Sequence, residues 1–77
     1  MKAEDLLEIL AERPFQPIRL HLEGGRVHEI RHPEMAIVTE ALVAIGMPRD
    51  DESGMAEKVR LCSLPHVVEV EPIEVAP

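Results

Sequence analysis

The sequence predicts a mainly β, α+β domain: one N-terminal helix, then a five-stranded, strongly twisted antiparallel sheet or small barrel. Three observations predict it. An apolar stripe at helical spacing runs through residues 3–12. Beyond Pro17, apolar and polar residues alternate with period two in short runs. Glycine and proline separate those runs, as turns require.

The helix comes first. Leu6, Leu7, Ile9 and Leu10 fall at i, i+1, i+3 and i+4, while Glu4 and Asp5 occupy the first turn, where carboxylates favour the helix dipole. Arg13 suits the opposite end, and Pro14 stops the helix because the residue before a proline avoids αR. Pro14-Phe15-Gln16-Pro17 is then a stiff connector, with Phe15 expected at the seam between helix and sheet.

Ile18 to Leu22 alternates as a half-buried strand, and Arg26 to Arg31 returns after Glu23-Gly24-Gly25. A two-residue turn would put Glu29 and Arg31 on the core face. A three-residue loop with Gly25 in the left-handed region instead pairs Ile18 with Ile30, Leu20 with His28, and Arg19 with Glu29. The three-residue loop is therefore expected. His32-Pro33-Glu34 breaks the second strand, and Met35 to Val38 reads either as a helical turn or as a strand continuation. Ala41 to Ile45 is apolar on both faces, and residues 48–57 form an acidic loop expected to be mobile. Val59, Leu61 and Ser63 are expected to face inward on a fourth strand, and Val68 and Val70 on a fifth; residues 73–77 read as a loose tail. The expected core is Leu6, Leu10, Ile18, Leu20, Ile30, Leu61, Val68 and Val70.

Composition bounds the rest. Seventy-seven residues make a single domain, and 45% apolar with 30% charged residues is a globular balance. One cysteine permits no internal disulfide, the acidic N-terminus is unlike a signal peptide, and no apolar run reaches a membrane span, so a cytoplasmic protein is expected. A net charge of −7 with a single aromatic residue, Phe15, argues against nucleic acid, whose binding rests on cations and stacking rings.

A helix followed by five short strands resembles the small SH3-like barrel of the Sm-like proteins, a group that includes ring-forming bacterial RNA chaperones. Leu22-x-x-Gly25 fits the first-hairpin pattern, and Leu64-Pro65-His66-Val67-Val68 fits the position of the second motif. Arg13-Pro14-Phe15-Gln16-Pro17 with Arg31-His32-Pro33-Glu34 also resembles a family of short bacterial proteins of unassigned function. The resemblance implies the barrel and, as an alternative function, RNA binding in a ring.

Candidate chemistry is sparse. His28 and His32 have the i, i+4 spacing of a helical ligand pair, but on a strand four residues span roughly 13 Å, too far for one ion. A metal site would need the bend at Pro33 to bring His32 towards His66, with Glu34 as a carboxylate ligand. Cys62 has Lys58 and Arg60 on its own strand face and His66 near in sequence, the ingredients of an activated thiol; buried free cysteines at strand centres are far commoner. No nucleophile–base order, phosphate-cradling loop or paired-carboxylate arrangement is present, so neither an enzyme nor a cofactor is expected. The reading that remains is an oligomerising or scaffold module, a homo-oligomer joined through strand edges and the outer face of the Ala41–Ile45 strand, with Leu42, Val43, Ile45, Val67 and Glu69 as interface residues.

Overall fold

The computed structural model describes residues 1–51 and 53–74. Helix α1 spans Ala3–Ala11, and six strands follow: β1 (Ile18–Leu22), β2 (Val27–Ile30), β3 (Ala36–Val38), β4 (Leu42–Pro48), β5 (Ala56–Ser63) and β6 (Val67–Pro72). They form two three-stranded antiparallel sheets, ordered β2-β1-β6 and β3-β4-β5. The expectation of five strands in a single sheet or closed barrel is thereby corrected. The sixth strand arises because the Met35–Val38 stretch does both things its sequence allowed. Pro33–Met35 makes one 3-10 turn, and Ala36–Val38 then pairs with β4.

The helix buries Leu6 and Leu10 and leaves Leu7 exposed. Arg13 closes its C-terminal end, donating from Nη1 to the carbonyls of Leu10 (2.9 Å) and Glu12 (2.7 Å), groups that no longer have an intrahelical partner. The first hairpin has the expected register, Ile18 opposite Ile30 and Leu20 opposite His28. Gly25 (φ 84°) takes the left-handed backbone expected of the three-residue loop, and Gly24 (φ 86°) takes it as well.

The core lies between the sheets: Leu6, Leu10, Ile18, Leu20, Leu22, Ile30, Val43, Ile45, Cys62 and Leu64. Five of the expected core residues are in it, and Leu61 and Val68 are not. For β5 the faces are inverted, with Cys62 buried and Leu61 66% exposed. The β4 partner decides this. Val43 pairs with Cys62 and Ala44 with Leu61, and β4 turns its bulkier pair, Val43 and Ile45, inward. Lys58 and Arg60, on the Cys62 side, stay exposed, so their charge does not oppose this register. For Val68, the ladder with β1 slips between His21 and Leu22, and the extra residue stands out at 62% exposure. Val70 stays half-buried against the core.

Two boundaries also move. The expected loop at residues 48–57 loses its ends to β4 and β5. The expected tail at 73–77 begins with a buried residue, Ile73, whose N–H donates to the Pro17 carbonyl at 2.8 Å; residues 75–77 lie outside the described residues. Among the described residues no helix is long and apolar enough to cross a membrane.

Candidate interaction surface

The solvent-facing sides of the two sheets differ in chemistry. On the first sheet, Arg19 on β1 stands opposite Glu29 on β2 and Glu71 on β6. Its guanidinium reaches both carboxylates at 3.2 Å, His21 Nε2 lies 2.9 Å from Glu71, and Arg31 Nε donates to Glu29 at 3.0 Å. These contacts hold both carboxyls below the usual range, Glu29 through Arg19 and then Arg31, Glu71 through His21 and then Arg19. Such a face is already satisfied and solvated.

The second sheet is apolar there. Directly opposed residues of antiparallel strands share a face, so Ile37, Ala44 and Leu61 form one row across β3, β4 and β5. Leu42 with Ser63 forms the row on one side, and Gly46 with Val59 the row on the other. None of these residues is charged. Ile37 is 68% exposed, Leu61 66% and Val59 57%. The central strand contributes Leu42 and then two small residues, Ala44 and Gly46; Ala44 lies between the larger Ile37 and Leu61. At Gly46 a Cβ would stand 3.0 Å from Met35 Cε, so a side chain here would displace Met35.

The expected interface residues are divided by this geometry. Leu42 is half-buried on the outer face. Val43 and Ile45 are corrected: they point into the core at 0% and 1% exposure, because β4 turns one of its two apolar sides inward. Val67 is half-buried against the core, and Glu69 is exposed on β6. Sequence reasoning missed Ile37 and placed Leu61 and Val59 on the wrong side. The usable signal was the alternation of small residues at Ala44 and Gly46, which marks the side of β4 that does not fill a core.

A cleft of about 130 Å³ opens between β2 and β4, floored by Ile30, Met35, Ile45 and Met47, well below the ~300–1,000 Å³ of ordinary ligand pockets. Its rim carries the Glu29–Arg31 pair and His32. His32 Nδ1 lies 3.9 Å from Glu34, and no set of three or more His, Cys, Asp or Glu side chains is placed to hold a metal among the described residues. Cys62 is buried, and loss of hydration pushes its thiol above the ordinary value although Arg26 and Arg60 pull the other way. That is the reverse of an activated nucleophile. No family model, curated protein or solved structure matches this chain.

Proposed function

We propose that this chain is a small oligomerising, scaffold-type interaction module that works by covering the outer face of its second sheet. The observation that carries the reading is the uncharged aliphatic surface of Ile37, Leu42, Ala44, Val59 and Leu61, set against the saturated ionic face of the first sheet. A chain with 30% charged residues has ample means to solvate a sheet face, and this one is left apolar across three strands. Contiguous exposed aliphatic surface on a soluble domain marks an interaction site.

The test is solvent access to the methyl groups of Ile37, Val59 and Leu61, read by a soluble paramagnetic agent. They are expected to be shielded at high protein concentration and uncovered on dilution. Equal, full access at both concentrations overturns the reading.

A further inference from the structure

We propose that His32, Met35 and Met47 form a binding site for a copper(I) ion in the cleft between β2 and β4. The site is independent of the apolar outer face and goes beyond the interaction-module reading.

It begins with a spacing. His32-Pro33-Glu34-Met35 closes one 3-10 turn, in which the Met35 N–H donates to the His32 carbonyl at 3.0 Å. A turn closed in this way holds its first and fourth residues within ~7 Å at Cα, and a proline in second place presets its φ. An imidazole and a thioether therefore leave the same turn, and both line the cleft. Met47 reaches it from β4. That strand continues past its last pairing with β3, Ala36 opposite Ile45, and Met47 follows on the free stretch, half-buried against the core. Gly46 makes room for the approach. The Met35 methyl carbon lies 3.0 Å from the point a Cβ would occupy there, so a side chain at this position would push the thioether away.

The donor set selects the metal. Thioethers are soft, neutral ligands that favour copper(I), and imidazole also suits copper, whereas magnesium, calcium and manganese take oxygen. Zinc draws on thiolate, imidazole and carboxylate, a set the cleft does not offer. Glu29 at its rim is engaged by Arg19 at 3.2 Å and Arg31 at 3.0 Å, and the buried Cys62 is not among the lining residues. The Nδ1 atom of His32 faces Glu34 at 3.9 Å, too far for a hydrogen bond but on the side from which a carboxylate orients a ligating imidazole. Nε2 is then the nitrogen that ligates. Core filling does not explain the methionines. Methionine is the flexible residue that closes irregular gaps, yet here two of them border about 130 Å³ that stays open.

The experiment is transfer of copper(I) from its coloured bicinchoninate complex, under argon with ascorbate holding the ion reduced, and circular dichroism to confirm folding. The wild type is expected to withdraw one equivalent per chain. His32→Leu, Met35→Leu and Met47→Leu should each weaken binding by about tenfold or more, the methionine changes conserving volume so that the fold is kept. Cys62→Ala and Met55→Leu should leave the affinity unchanged. In protein with isotope-labelled methionine methyls, one equivalent of silver(I), a soft ion that does not change oxidation state here, should shift the Met35 and Met47 signals and leave Met55 in place. A wild type that withdraws no copper(I) overturns the site. So does binding that is lost in Cys62→Ala, or a silver(I) shift as large at Met55 as at Met35.

Discussion

Arg19 on β1 binds Glu29 on one neighbouring strand and Glu71 on the other, each at 3.2 Å, so one guanidinium ties all three strands of the first sheet. Both carboxyls are held below their ordinary value. Depressed carboxylates contribute stability that is complete above their unfolded value and is lost as pH falls through the folded one. The melting temperature should therefore drop on acidification through and below the ordinary carboxylate range. Glu29→Gln combined with Glu71→Gln should flatten that drop and lower the plateau at neutral pH. An unchanged acid limb in the double variant would remove the triad from the stability of the sheet. The groups are exposed, so the effect should be modest and should shrink in high salt.

Leu10 separates the two roles of the helix stripe. It is 7% exposed in the core, whereas Leu7, on the adjoining side, is 51% exposed. Leu10→Ala should cost about 2–5 kcal/mol, a large part of the ~5–15 kcal/mol a domain possesses. Leu7→Ala should be close to neutral. Denaturant midpoints with unchanged slopes give the comparison, and equal losses at both sites would mean the helix docks on a different face.

The residues that fixed their own conformation were the ones legible in the sequence. Gly24 and Gly25 define a loop, the loop defines a register, and the Arg19–Glu29 pair follows from it. Leu6 and Leu10 are legible for a similar reason, since helical spacing admits one apolar side. β4 was ambiguous because Leu42 to Ile45 is apolar on both sides, and only its neighbours decide which side is buried. That ambiguity passed down the ladder to β5 and inverted Leu61 and Cys62. At Val68 the obstacle was a bulge, an irregularity in pairing with β1 that β6 does not encode alone. The apolar face was therefore anticipated on the correct strand, and its residues became identifiable only with the register.

Cys62 provides a direct check on that register. It is 1% exposed, and desolvation raises its thiol above the ordinary value. Only the thiolate reacts, so native protein should modify far more slowly with a disulfide reagent than protein unfolded in denaturant at the same pH. The native rate should follow the opening of the β4–β5 ladder. Equally fast reaction in both states would put Cys62 on the surface and restore Leu61 to the core.

Single-stranded RNA should not bind appreciably at physiological salt. The net charge of −7 opposes phosphates, and Phe15 is the single aromatic, half-buried against the core rather than displayed for stacking. Titration at two salt concentrations is the check. Micromolar binding with a steep salt slope would favour the RNA-binding alternative that the Sm-like resemblance implies.

His28 should give the domain a second, separate pH dependence near neutrality. It stands opposite Leu20, which is fully buried, and is itself half-buried on the inner side of β2. Loss of hydration lowers its pKa, and the positive charges of Arg26 and Arg60 lower it further. The folded state therefore holds the neutral ring, while the unfolded chain takes up a proton near the ordinary value of about 6.5. Below that value the unfolded state binds more protons, so stability is complete above it and declines as pH falls towards the depressed folded value. Glu29 and Glu71 act only in the carboxylate range, so the two windows are distinct. The melting temperature of the wild type is expected to fall as pH drops below the ordinary imidazole value, and His28→Leu should abolish that slope while raising stability at the acid end. A slope of the same size in His28→Leu would refute the role given to His28.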